Sequence, residues 1–176
     1  FVPEDRREEG LITQHSLASN ISLPHLKKLQ IGGGKFPIIF SKSADEMFNY
    51  MRNYLRIICR SGKQQASELS GGNQQKVVFA KWLAANAKIL ILDEPTSGVD
   101  VNAKEEMRMI IQKATASGAS VLLISSEIEE LSLTADRIVI MIDGQLGRSL
   151  STGFSATEIR TSIQEDVHVI RKEAVP

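Results

Sequence analysis

The chain has 176 residues, enough for one domain of ordinary size, and its 42% hydrophobic and 24% charged content is that of a soluble globular protein. Lys+Arg and Asp+Glu both total 21, so no basic excess exists to neutralise a phosphate backbone, and nucleic acid is not an expected partner. The single Cys59 excludes an internal disulfide framework and fits a reducing compartment; no apolar run approaches the roughly 18–20 residues that cross a bilayer, and no signal peptide is visible. The first residue is Phe1 rather than Met, and a piece of a longer chain is expected.

"FVPEDR" reads as the end of a strand followed by a charged loop, and "EDRREE" at 4–9 as a solvated one. Residues 1–42 are expected to be irregular, because Gly32–Gly34, Pro24 and Pro37 break any long element. Ser43 and Glu46 have capping-box spacing and predict a helix over 43–59, with Met47, Tyr50, Met51, Tyr54, Leu55 and Ile58 on its apolar face. Cys59 falls on that helix, and Gly62 closes the region. A second helix is predicted from Gly71 to about Asn86, with Ser70 as N-cap and Trp82 in the core.

"KILIL" at 88–92 is a short apolar run stopped by Asp93, as in a central parallel strand covered on both faces. Asn102 and Glu105 open the next helix, which buries Met107, Ile110, Ile111 and Ala114 and turns at Gly118. "SVLLI" at 120–124 and "RIVIMI" at 137–142 are two further strands, the latter followed by an Asp143–Gly144 hairpin turn. Ser155 and Glu158 start a short final helix. Strands alternating with helices make this an α/β chain.

The chemistry gathers in two stretches. "ILILDEPTSGVD", 89–100, delivers adjacent carboxylates, Asp93 and Glu94, at the carboxyl end of an apolar strand, the edge where open α/β sheets bind ligands. One carboxylate can hold Mg²⁺ while its neighbour faces an attacking water, as in the Walker B arrangement of nucleoside triphosphatases. "LSGGNQQK", 69–76, sets a serine and two glycines at a helix start, a place built to bring N–H groups against an anion.

Together with "SGVD" (97–100), these stretches resemble, in order and spacing, the signature motif, Walker B and D-loop of ABC-type ATPases. "VPEDRREEGL", "LSGGNQQKVVFAKWL", "DEPTSGVDVNAK" and "VLLISSEIEEL…ADRI" resemble the second ATPase half of the tandem ATP-binding subunits of sugar importers, over nearly the whole chain and most weakly over 20–65. The resemblance implies a mostly parallel sheet with flanking helices, a partial P-loop ATPase core, plus an α-helical signature subdomain. It divides the chain into 1–86 (loop region and helical subdomain), 87–153 (Walker B part with a hairpin) and 154–176 (C-terminal helix and tail).

The resemblance also implies ATP and Mg²⁺ as cofactors. Ser70, Gly71, Gly72 and Gln74 would meet ATP held by another ATPase half, either the N-terminal half of the same subunit or a second copy. Asp93 would order Mg²⁺, Glu94 would be the general base, and Asp100 would cross the interface. Glu4 would stand in the Q-loop place, and Ser126 where relatives usually carry a histidine, a substitution that implies poor hydrolysis at this half's own site. The 4–9 cluster would belong to the region contacting membrane permease subunits, with the chain on the inner face of the plasma membrane. No G-x-x-x-x-G-K-S/T is present: Gly34–Lys35 is followed by Phe36 and Gly62–Lys63 by Gln64. The chain by itself is therefore not expected to hydrolyse ATP. The resemblance places the P-loop strand between 120–124 and 137–142, whose facing edges would then be unpaired. A non-catalytic partner-binding ABC half is the alternative; a DNA-maintenance ABC ATPase would need coiled-coil heptads, zinc-binding cysteines or a basic surface, none of which is present. His15, His25 and His168 are scattered and predict no metal site.

Overall fold

Val2 is the first residue to join a sheet: its N–H donates to Ile91 O at 2.8 Å, and Asp93 N–H donates to Val2 O at 2.9 Å. The strand end read in "FVPEDR" therefore lies parallel to β3 (Ile89–Asp93). On its other side β3 pairs in parallel with β4 (Ser120–Ile124), register Ile89↔Ser120 to Asp93↔Ile124. This computed structural model describes residues 1–25, 30–31, 38–39, 41–151 and 153–173; the Gly32–Gly34 loop lies outside them. It divides into two units, 1–124 and 125–176.

In the first unit, Leu90 and Leu92 point into the core at 1% and 0% exposure. Ile89, Ile91, Leu122 and Ile124 lie on the opposite face of the same ladder and are exposed. Within the first unit the ladder is therefore packed on one face, where the apolar run was read as covered on both. An unbroken apolar run is compatible with double coverage, but only packing decides whether a second layer is supplied. Among the described residues β4 pairs with β3.

The core is built where three helices meet. Against the expected irregularity of 1–42, a helix α1 forms at Leu17–Ser22, with Ser16 Oγ accepting from Ser19 N–H at 3.1 Å. Six residues are too few for a helix to hold itself. This one is fastened by Leu17 N–H to Gln64 O (2.9 Å) and Ala18 N–H to Gly62 O (3.0 Å), and it packs against α2 (Ser41–Tyr54) and α3 (Gly71–Ala84). Asn20 is fully buried and bonds both the N–H (2.9 Å) and the C=O (3.0 Å) of Ile12, so its burial leaves no polar debt.

Helix α2 stops at Tyr54, short of the expected residue 59, because the chain turns at Arg56 in the left-handed region (φ 52°). Its buried side carries Phe48 and Met51, and Leu55 is buried just beyond its end, while Tyr50 and Ile58 are exposed. Cys59 consequently lies in a loop, where burial raises its thiol pKa. Gly62 is required there: a Cβ would stand 2.8 Å from Cδ1 of the buried Phe48 ring. Helix α3 starts after Ser70 as expected and buries every residue from Gln74 to Ala80; Trp82 is half-buried against the core. Helix α4 (Val101–Ala116) buries Met107, Ile110, Ile111 and Ala114 as expected, but Asp100 caps it in place of Asn102.

The second unit holds α5 (Ile128–Thr134), the antiparallel hairpin β5–β6 (Arg137–Ile142 and Gln145–Ser151) and α6 (Ala156–Glu173). Asp143 (φ 50°) and Gly144 (φ 80°) make the predicted turn. The Ser155–Glu158 capping box is formed reciprocally, Ser155 N–H to Glu158 Oε2 (2.6 Å) and Glu158 N–H to Ser155 Oγ (3.2 Å). The helix it starts has 18 residues, not the short one expected, because it lies along the hairpin and buries Ile159 and Asp166. The expected divisions at 86/87 and 153/154 fall inside these units: β3 and β4 share the core of the preceding helices, and α6 packs on β5 and β6.

Asp166 accepts from the backbone N–H of Arg148 (2.8 Å) and from its guanidinium Nε (2.7 Å). A Cβ on Gly147 would lie within 2.4 Å of Asp166 Oδ2, so only glycine admits this approach. The Arg148 N–H first, then the guanidinium, hold the Asp166 carboxyl below its ordinary value. A carboxyl depressed by folding contributes stability above its unfolded pKa of about 3.9, and that stability is lost as pH falls through the lower folded value. Asp166→Asn is therefore expected to lower the melting temperature of the second unit at pH 7 and to change it little near pH 2. Parallel melting curves for wild type and variant would contradict this if their separation were the same at both pH values.

Candidate functional site at the carboxyl end of β3 and the start of α3

The last residue of β3, Asp93, is half-buried. Glu94 follows in the left-handed region (φ 41°), yet its N–H still extends the ladder to Ile124 O at 2.9 Å, and its C=O accepts from Ser97 N–H at 3.0 Å. A non-glycine residue pays for that conformation in strain, and such residues concentrate at functional sites. Two adjacent carboxylates thus leave the strand from different backbone conformations, and the buried Pro95 and Thr96 root the turn behind them. Among the described residues no group of three or more His, Cys, Asp or Glu could hold a metal by itself. One carboxylate at Asp93 suits Mg²⁺ that arrives with phosphates, the usual mode for this ion, and not a free-standing metal cage. His15 and His168 are exposed and His25 is buried.

The turn runs through Gly98 (φ 66°) to Asp100, whose Oδ1 accepts from Ala103 N–H at 2.9 Å. Glu4 is exposed, two residues after the backbone of Val2 has paired with that of Ile91 and Asp93. The expected solvated loop around it is not what forms. A single π-helical turn, Arg6–Gly10, is capped by Asp5 and turns Arg6 inward. Arg6 Nη1 donates to Ser97 O at 3.0 Å, and a Cβ on Gly71 would come within 2.7 Å of Nη2. One guanidinium therefore fills the space between the start of α3 and the 97–98 turn, and Gly71 is small enough to admit it. No sequence spacing could have signalled this contact, which joins residues 91 positions apart.

At the start of α3, Ser70 is the exposed N-cap residue, and its Oγ makes no capping bond to a backbone N–H of the helix. Instead Oγ accepts from Asn73 Nδ2 at 3.0 Å, and Asn73 Oδ1 accepts from Ile58 N–H at 2.8 Å. Gly72 sits where a Cβ would approach Ala103 Cβ to 3.0 Å, so the first turns of α3 and α4 lie close together. Gln74 is 1% exposed, donates to Ala66 O at 3.0 Å and accepts from Arg7 Nε at 3.3 Å, so its amide is engaged within the fold. The structure thus brings Ser70–Gly72, the 97–100 turn and Arg6 into one neighbourhood. Ser126 belongs to the second unit, exposed beside Ser125, whose Oγ bonds Glu130 Oε2 (2.6 Å) ahead of α5.

Residues 3–97, more than half of the chain, match the family profile described as ABC transporter. The chain belongs to the ABC transporter family. Within this family the chain is 40% identical over 159 residues to a Ribose import ATP-binding protein RbsA of Bacillus cereus, covering 90% of this chain and 31% of that protein. It is 44% identical over 146 residues to the protein of the same name from Geobacillus kaustophilus, covering 83% of this chain and 29% of that one. The chain therefore spans about a third of the length of these ABC relatives. Among solved structures, the ATP-binding cassette MJ0796, in a dimeric post-hydrolysis state bound to ADP and Pi, matches with TM-score 0.67 and 25% identity over 82% of this chain and 60% of that one. The partial ABC core with its helical part is the fold expected from the sequence.

Proposed function

We propose that this chain forms part of the ATP-binding subunit of an importer that takes up a sugar or similar small polar solute, and that its signature loop closes on ATP held by another ATPase half. The observation that carries the reading is the start of α3: an exposed N-cap Ser70 whose hydroxyl is not spent on the helix backbone, ahead of Gly71 and Gly72 at the positive end of 14 aligned residues. The resemblance of Leu69–Lys76 to the ABC signature motif implies that the phosphate met there is one held by another ATPase half. The partner is the other ATPase half of the same subunit or a second copy. The ribose-import names of the relatives support the solute class.

In that assembly Asp93 would hold Mg²⁺ carried by the nucleotide, which supplies charge neutralisation at the phosphates. Glu94 would take the proton of the attacking water, and Asp100 and Ser126 would line the interface and the switch position. Glu4 and the turn after it would face permease subunits at the inner face of the membrane. Among the described residues no helix is long and apolar enough to cross a membrane, which fits attachment through such partners.

The test mixes this chain with an ABC half that carries its own P-loop, with ATP and EDTA to suppress turnover, and measures association by sedimentation. ATP-dependent association is expected, weakened about 10–100-fold by Ser70→Ala, the worth of one hydrogen bond to a charged oxygen. Association that ignores ATP, or that ignores Ser70, overturns the reading.

A further inference from the structure

Asn73 has been given no part so far, yet its carboxamide is engaged at both ends. The Ile58 N–H can only donate, so the atom it meets at 2.8 Å is the amide oxygen. That fixes the direction of the amide. Its NH₂ faces Ser70 Oγ at 3.0 Å and donates to it. A serine hydroxyl carries one proton and two lone pairs, and two donors cannot face each other. With an N–H pointing at Oγ, the Ser70 proton must turn elsewhere, and Ser70 is exposed. The same bond keeps Oγ from folding back onto the first N–H groups of α3, the usual destination of an N-cap serine.

We propose that Asn73 is a positioning residue: it sets the Ser70 hydroxyl as an outward-facing donor for an anionic oxygen and leaves the N–H groups behind it open. The proposal rests on the reading above, in which Ser70 meets a phosphate. It assigns the direction of a proton, which a simple packing role for Asn73 would not do. The anchor matters as much as the amide, since Ile58 lies in the loop after α2, 15 residues away, and holds the Asn73 oxygen in place.

The decisive variant is Asn73→Asp. A carboxylate still accepts from Ile58 N–H, so the anchor survives. It cannot donate to Oγ; it accepts the Ser70 proton and adds a negative charge where the anion should sit. In the same ATP-dependent association, Asn73→Asp is expected to weaken binding about 100-fold or more, and Asn73→Ala about 3–10-fold. Thermal unfolding of each variant checks that the fold is kept. In a Ser70→Ala background, Asn73→Ala is expected to have no further effect, because the hydroxyl it orients is gone. A wild-type chain that responds to ATP while Asn73→Asp binds equally well sinks this proposal alone. So does an Asn73→Ala effect of the same size with and without Ser70. A wild-type chain that does not respond to ATP sinks the proposed function and this proposal with it.

Discussion

Truncating Phe79 to alanine is expected to cost the first unit about 3–5 kcal/mol, the range for removing a buried aromatic ring whose cavity does not collapse. Phe79 is 1% exposed and lies in the middle of α3, between Val78 and Ala80, both fully buried. Against a typical domain stability of about 5–15 kcal/mol, that loss takes much or all of what holds the unit. The consequence reaches the site, because the same helix begins at Ser70 and Gly71 and its inner face fixes where they stand. Urea titration monitored on the first unit reads the change. A loss below about 1 kcal/mol would mean that α3 is not seated in the core as described.

If the proposed function holds, Glu94→Gln is expected to lower turnover about 10²–10⁴-fold at the nucleotide site that Asp93 and Glu94 would serve, the usual contribution of a general base. The amide nearly matches the carboxylate in size but has no basic oxygen, so ATP binding should persist while hydrolysis fails. The backbone strain at Glu94 (φ 41°) is unchanged by the exchange, so stability should move little. Single-turnover phosphate release, measured beside nucleotide binding, separates the two steps. Equal rates for wild type and variant would remove Glu94 from the proposed chemistry.

Glu94 was legible in the sequence as a carboxylate at a strand end, whereas the burial of Phe79 emerged only with the structure; other local features were legible too. The Ser155–Glu158 capping box, the Asp143–Gly144 turn and the 107, 110, 111, 114 stripe are local patterns, decided within one or two turns of chain. Asp93–Glu94 and Ser70–Gly72 were found because a strand end and a helix start mark themselves by composition. Where the reading went astray, a distant contact had overruled a local preference. Tyr50 fitted the apolar spacing of α2 but is exposed, while Phe48 took the buried place against Gly62. Cys59 was read onto the helix, yet the turn at Arg56 ends that helix at Tyr54 and leaves Cys59 in a loop.

The sequence by itself determined the class of the chain, its family resemblance and the two stretches that carry its chemistry, since each is written in residue type and short spacing. Tertiary structure alone decided what those stretches rest on. It formed α1 from six residues that only neighbours can hold, left one face of the β3–β4 ladder exposed, and drew Arg6 between Gly71 and Ser97. It also tied Ile58 to Asn73 and Asn73 to Ser70. The physical reason is common to all of these: a hydrogen bond or a packed ring between residues far apart in the chain leaves no periodic trace, and its partner is known only once the chain has closed on itself.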